Sequence, residues 1–538
     1  MKKRIICLAL VLCMLATSFV GCGKKDSEET NTGEAKKLTI GLPQSANVTS
    51  YEDNGFTKYL EENLNVKLEF MYFSSTSADY QKQITLMCTS GEKLPDVLWG
   101  FTDIDRYTVA EFGEDGYFMD LTDPIEKYAD NYKAAVAKLT KEEQNMLKSR
   151  GTSVVDGGFY GMPHYSSEIG IDNIQTSIYI NQTWLDKVGM SKPKNIDDLY
   201  KVLKAFKEKD PNGNGEADEL PMLSQGIESY ILNAFVYTGS YNLNVTDGKV
   251  WNPYTTNEYR QALQFCNKLC EEKLLDDLNF TLSSRAEFTS LVTPANDVAR
   301  VGMFCGHPEL VTSTTSGILD QYVALEPLAD ATGKGGNIVV LPKALAYCSY
   351  ITTDCDDVET AMKFLDFFYL DETTTRMRYG IKDEHWAYDD NTYNSYGELA
   401  KFKCIDASAG FQGNATWGVL GPMIGNHDNM GTSSDDGLHD RNKQCSRLLG
   451  EAYHIMMDWQ KPEEVLENLV YNQKENEERS KLSTLYNQYI AEAKALFITG
   501  EMDPNSDSDW NAYLKEVADL GDAKLIEVAQ SAYDREKK

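Results

Sequence analysis

Asp210, Asn212, Asn214, Asp218 and Glu219 crowd five oxygen-bearing side chains into ten positions, with Gly213 and Gly215 among them. Calcium-like hard cations take about six to eight oxygen ligands, and a tight loop with oxygens at alternate positions can supply them. The glycines permit the sharp turn. The backbone carbonyl of Glu216 stands at the seventh position, where such loops use a main-chain oxygen. An EF-hand would place a bidentate glutamate at the twelfth position, which here is Pro221. The loop is therefore not an ordinary EF-hand, and the competing reading is an acidic surface loop rich in Asx turns. If filled, its role is structural, because carboxylates packed together repel one another without a cation.

Other reactive residue types form no comparable pattern. The six histidines (164, 307, 385, 427, 439, 454) lack metal-ligand spacing. No G-x-S-x-G, H-E-x-x-H, P-loop or G-x-G-x-x-G motif is present. A glycosidase needs two carboxylates across the scissile bond, and 83 acidic residues always offer a pair, so the sequence neither supports nor excludes one. Eight cysteines lie beyond residue 37: 88, 266, 270, 305, 348, 355, 404 and 445. Their scattered spacing does not demand disulfides. Cys266 and Cys270 sit four apart in RQALQFCNKLC beside Leu263, Phe265 and Leu269, so they read as core thiols.

The first residues bound the compartment. Lys2, Lys3 and Arg4 precede an uncharged run, Ile5 to Val20, too short and too near the start for an ordinary membrane span. The run ends in Gly21-Cys22. This resembles a bacterial lipoprotein signal, in which Cys22 becomes the lipidated first residue of the mature chain. Phe19 stands where that signal usually has leucine. The competing reading is a plain secretory leader. Residues 23–37 are polar with one alanine and read as a disordered tether. The expectation is a body held by lipid at the extracellular face of the cell membrane. A net charge of −31 argues against nucleic acid and against peripheral binding to anionic lipid. Aromatics make up 11% of the chain, with 31 Tyr and 7 Trp. Sugar-holding proteins use such rings as flat apolar platforms, although packing in a large core also consumes them.

The elements that must position these residues follow from periodicity. Leu38–Gly41 reads as a buried strand. Phe56, Leu60 and Leu64 share one face of a helix over about 52–64. In VKLEFMYF, Val66, Leu68, Phe70 and Tyr72 alternate. A helix through Tyr80, Ile84 and Cys88 follows, then a strand at Val97-Leu98-Trp99. This succession opens an α/β lobe with a mainly parallel sheet, in which ligands lie at the carboxyl ends of strands. Further on, Gly158–Pro163 reads as a strand ending at proline, Ser177–Asn181 as another strand, and Asn195 as the cap of a helix to about 209. Residues 358–370 are amphipathic and the last hundred are largely helical.

Several ordered motifs carry a resemblance: Asp156-Gly157-Gly158-Phe159-Tyr160-Gly161-Met162-Pro163, Tyr179-Ile180-Asn181-Gln182-Thr183-Trp184-Leu185-Asp186-Lys187-Val188-Gly189, Asp210–Pro221, Ala361–Asp366, and Phe497-Ile498-Thr499-Gly500 with Trp510 and Tyr513. Their order resembles the solute-binding lipoproteins of carbohydrate ABC importers, which share the two-lobed fold of maltose-binding protein. Within that family the chain is similar to alginate-oligosaccharide-binding proteins and large Gram-positive oligosaccharide-binding lipoproteins.

The resemblance implies an α/β protein with two hinged lobes of the periplasmic-binding type 2 fold and a ligand cleft between them. It implies residues 1–21 as signal peptide, 22–37 as tether, 38–162 with 298–345 as the first lobe, and 163–297 with 346–538 as the second. It further implies a monomeric importer component that is not an enzyme and that passes an oligosaccharide to ABC permease subunits. The rivals are a surface polysaccharide hydrolase or lyase, and the same fold carrying a peptide or other solute. Alginate-binding relatives close their calcium loop with an Asp-Glu pair, which Asp218 and Glu219 match. For sugar stacking and hydrogen bonding the candidates are Trp99, Tyr165, Tyr237, His307, Trp386 and Trp417, with Asn47, Asp103 and Glu168 behind them. In relatives a Gly-rich segment ends in His and an aromatic. Here Asp383 replaces the glycine ahead of His385 and Trp386. Trp184, Trp251, Trp459 and Trp510 read as structural.

Overall fold

The computed structural model describes residues 35–536 except 105, 154–155, 167–176, 225, 239–242, 281–297, 307, 309–316, 336–344, 390–399, 407–412, 426–429, 432–440, 460–465, 467–468 and 470. Cys22, His307 and Glu168 lie outside the described residues. The strands are β1 (Lys36–Pro43), β2 (Val66–Phe73), β3 (Val97–Trp99), β4 (Met162–Ser166), β5 (Ile178–Asn181), β6 (Leu220–Met222), β7 (Asn244–Thr246), β8 (Lys249–Trp251), β9 (Val301–Cys305), β10 (Tyr322–Ala324), β11 (Leu345–Ile351), β12 (Trp386–Tyr388), β13 (Phe402–Cys404), β14 (Met423–Gly425) and β15 (Met430–Gly431).

Two sheets organise the molecule. One has the order β14-β4-β11-β3-β1-β2 and the other β10-β5-β9-β6. In the first, β1 pairs parallel with β2 and β3, and only β11 runs against its neighbours β3 and β4. Both faces are covered, which is why β1 reads as a near-continuous apolar run. Leu38, Ile40, Leu42, Leu68 and Trp99 join helix residues such as Phe56, Leu60 and Phe364 on one side. Phe73, Leu98 and Tyr350 pack with Tyr80, Ile84 and Phe112 on the other. A separate core surrounds the second sheet and takes in Trp184, Phe206, Cys266, Phe497 and Tyr513. Among the described residues no helix is long and apolar enough to cross a membrane.

Two helices lie close to where periodicity and capping put them, the first starting three residues later than expected. The first helix spans Gly55–Leu64, with the Asn54 side chain accepting from the Phe56 N–H. Asn195 accepts from the Asp198 N–H to start Ile196–Glu208. Pro163 does not end its strand. It lies inside β4 opposite Tyr347, where the pairing with β11 slips between Tyr347 and Ser349. A bulge at that point accommodates a residue with no N–H to give.

The expected division of the middle of the chain is reversed by strand pairing. The resemblance implies residues 298–345 in the first lobe, yet β9 and β10 pair with β5 in the second sheet. It implies residues from 346 onward in the second lobe, yet β11 is central to the first sheet and β14 forms its edge. Likewise β4, placed just past the first crossing, pairs with β11 and β14, so the chain leaves the first sheet only after Ser166.

Candidate functional site

The pairings fix which ends of the strands face each other. β4 leads directly into the segment that connects to β5, so its carboxyl end points toward the second sheet. β1, β2, β3 and β14 run the same way as β4, by direct pairing or through antiparallel β11. In the second sheet β9 ends opposite the start of β5, with Cys305 paired to Ile178. β10 ends beside it, with Ala324 paired to Tyr179. β6 runs parallel to β9. The carboxyl ends of eight strands, β1 to β4, β6, β9, β10 and β14, therefore border the crossing, which is where open α/β sheets place ligands.

The first-sheet rim is built by the loop after β1 and by residues 413–421 laid across it. The N–H of Gly413 donates to Asn47 O at 2.9 Å, and Ser50 N–H donates to Asn414 Oδ1 at 2.9 Å. Gly418 has φ +68°, and a Cβ there would stand 2.7 Å from Ser45 Cβ, so the loop needs glycine at this close approach. Tyr51 is buried beneath, with its hydroxyl accepting from Ser45 N–H at 2.8 Å and donating to Trp417 O at 3.3 Å.

Most of the rings expected to stack on sugar are core residues. Trp99 and Trp417 are fully buried and meet edge to face, 4.8 Å apart at 82°. Trp417 also donates from Nε1 to Thr57 Oγ1 at 2.8 Å. Trp386 is fully buried against Phe402 and Tyr388 and donates from Nε1 to Gly380 O at 2.9 Å. Tyr165 is fully buried, with its hydroxyl donating to Glu143 Oε1 at 2.8 Å. None of these four presents a ring face to solvent. Tyr237 is half-buried in the second sheet's unit, with its carbonyl accepting from Asn244 Nδ2. Asn47 and Asp103 are exposed on the first rim. The Asp103 N–H donates to Tyr80 Oη at 3.1 Å.

Two rim residues escaped the sequence reading. Tyr72, the penultimate residue of β2, is 41% exposed and donates to Glu52 Oε1 at 2.7 Å. The alternation of β2 puts Tyr72 on the same face as Val66, Leu68 and Phe70. The strand in fact outruns its cover there, and only its position next to the strand's end could have signalled that. A separate groove of about 650 Å³ is lined by Phe235, Phe265, Gln264, Lys268, Asp330 and Asn505, among others. All its walls belong to the second sheet's unit, so hinge motion cannot close it.

The oxygen-rich loop joins the helix Ile196–Glu208 to the start of β6, at the end of the second sheet away from the crossing. Asp210 has φ +43°. Its carboxylate accepts N–H groups of Gly213, Asn214 and Gly215 at 2.9, 3.2 and 3.0 Å. Asn212 and Asn214 both donate side-chain amides to Asp218 Oδ1, at 2.8 and 3.0 Å. The Arg300 guanidinium stands 3.2 Å from Asp218 Oδ2. Glu216 is exposed, and its N–H donates to Asn214 Oδ1 at 2.8 Å. Glu219 Oε1 is buried with no hydrogen-bond partner among the described residues. Burial, then the charges of Asp210 and Asp218, push the Glu219 carboxyl upward. Among the described residues no three His, Cys, Asp or Glu groups converge closely enough to hold a metal ion. The loop nevertheless fits one in donor type. One carboxylate oxygen is left buried without a partner among the described residues while Asp210 and Asp218 raise its group's pKa, and side-chain amides and Arg300 meet the Asp218 carboxylate.

Comparison with known proteins agrees with this architecture. Residues 43–268 match the family described as bacterial extracellular solute-binding protein. The fructooligosaccharide ABC transporter substrate-binding protein FusA of Streptococcus pneumoniae serotype 4 is 25% identical over 99% of this chain and 98% of its own. The structure of an S. pneumoniae FusA EF-hand mutant in complex with fructo-nystose superposes with a TM-score of 0.71, at 22% identity, over 93% of this chain and 99% of that one. The alginate-binding protein AlgQ2 without calcium ion superposes with a TM-score of 0.64, at 20% identity, over 94% and 99%. The segment from 43 to 268 thus matches the bacterial extracellular solute-binding family, and the chain has the two-lobed α/β fold of solute-binding proteins.

Proposed function

We propose that the protein is the substrate-binding component of an ABC importer, which captures an oligosaccharide between its lobes and delivers it unchanged to permease subunits. The observation that carries this reading is the pair of separately cored sheets whose strand carboxyl ends border the places where the chain passes between them. The end-to-end likeness to an oligosaccharide importer component supports it. We take the first lobe as residues 36–166 with 345–425, and the second as 178–324 with 441–536. Open and closed arrangements exchange, and a ligand touching both lobes favours the closed one. The protein then acts as a monomer without chemistry of its own. Cys22 carries a lipid that holds it at the outer face of the membrane. A glycan array followed by calorimetry tests the cargo, and small-angle scattering reads the compaction. Saturable binding with compaction and no new product is expected; turnover of a glycan by pure protein would move the assignment to a hydrolase or lyase.

The loop at 210–219 binds calcium as a structural ion in this reading. Asp210, Asn212, Asn214, Asp218, Glu219 and the carbonyl of Glu216 would hold it. The ion would supply positive charge among crowded carboxylates. Support comes from the donor set, from orphaned Glu219 Oε1, and from the EF-hand named for a FusA structure. Calcium should raise the melting temperature and a chelator lower it. Replacing both Asp210 and Asp218 by Ala should abolish the response.

A further inference from the structure

The exposed ring on the first rim is held in place from several sides. Tyr72 lies 5.3 Å from Tyr51 with the planes tilted by 47°, and its ring is 10° from parallel with Phe70 at 6.4 Å. Tyr51 is itself pinned by Ser45 and by the carbonyl of Trp417. The Tyr72 hydroxyl is committed to Glu52, whose other oxygen accepts from Ser50 Oγ at 3.4 Å. A ring fixed on a core side, bare on the other and bordered by a carboxylate has the parts of a sugar subsite. The bare face takes the C–H face of a ring, and the carboxylate accepts hydroxyl protons. Being pre-fixed, it loses little freedom on binding. It stands at the end of a parallel strand bordering the crossing, where such a group can meet cargo.

The charge of the site selects among sugars. Glu52 makes no ion pair among the described residues, and its carboxyl is held below the ordinary range, chiefly by the Tyr72 hydroxyl. A uronate stacked on Tyr72 would bring a second carboxylate against it without a counter-ion. Resting on the importer reading above, we propose that Tyr72 and Glu52 form a stacking subsite of the first lobe, and that its occupant is a ring of a neutral oligosaccharide rather than of a uronic-acid polymer.

Calorimetry of the purified protein with a neutral set (nystose, maltotetraose, cellotetraose) and an acidic set (tetragalacturonate, tetrameric alginate) tests this. Binding within the neutral set is expected. Tyr72→Ala should weaken it about tenfold or more, while Tyr72→Phe, which keeps the ring, should stay within about threefold of wild type. Glu52→Gln should weaken it by about fivefold. Tyr72 is exposed, so melting temperatures should move by no more than a few degrees, separating lost contact from lost fold. Neutral binding that is indifferent to Tyr72→Ala would overturn the subsite and leave the importer reading standing. Binding of the acidic set alone would overturn the proposed class. Binding of neither set would count against the oligosaccharide reading and take the subsite with it.

Discussion

At the scale of single residues, the aromatic side chains divide by what lies around them rather than by type. Trp417 touches Phe56, Phe70 and Trp99 with its ring edge-to-face and gives its indole proton to Thr57. Replacing it by Ala should destabilise the fold by about 3–5 kcal/mol, seen as a lower urea midpoint with the same slope. Thr57→Val keeps the shape and strands the indole N–H, costing about 1–3 kcal/mol. If Trp417 served cargo instead, stability would hold and only affinity would fall. The sequence suggested the reverse because GNATWGV looks like a polar loop. What buries Trp417 is a helix some 360 positions earlier in the chain, and no local pattern carries that information. Tyr165 misleads for the same reason, its strand being flanked by residues near 345 and 424, whereas Trp386 is covered by its near neighbours Gly380, Tyr388 and Phe402. The loop from Asp210 to Glu219 could be picked out in the sequence because most of its side-chain hydrogen bonds stay within the same short stretch, with Lys187 and Arg300 reaching it from outside.

At the scale of elements, strands and caps with local causes were readable. VKLEFMYF is a strand over its full length, and Asn195 caps the helix it was expected to cap. Pairing was not readable. β11 and β9 are similar short apolar runs, and which sheet each enters depends on neighbours drawn from distant parts of the chain. The C-terminal helices show an element joined by a single buried group. Glu475 closes a capping box with Asn472 at the start of Gln473–Thr499. It also accepts from Arg535 at 2.8 and 2.6 Å and from Ser531 at 2.9 Å. Burial alone would raise its carboxyl, but Arg535, the Asn472 N–H and Ser531 together hold it below the usual 4.5. A carboxyl depressed in the folded state adds stability above its unfolded pKa and loses it as pH falls through the folded value. Glu475→Gln should therefore cost about 2 kcal/mol near neutrality. The gap from wild type should close below about pH 4. A gap that persists in acid would mean the group acts through shape alone.

At the scale of the molecule, two cores with no residue in common allow the halves to move as bodies while each stays packed. The described thiols are distributed over both halves. Cys88, Cys348 and Cys355 lie in the first, Cys266, Cys270, Cys305 and Cys445 in the second, and all seven are buried thiols outside any disulfide. Burial pushes Cys348 up to about 12 and Cys88, Cys305 and Cys355 to about 11. These seven thiols should thus be inert to alkylating reagents in the folded protein and indifferent to reductant. Each modified cysteine would record an excursion of its own half, so mass spectrometry of a timed alkylation series would date the opening of the two halves separately in one sample.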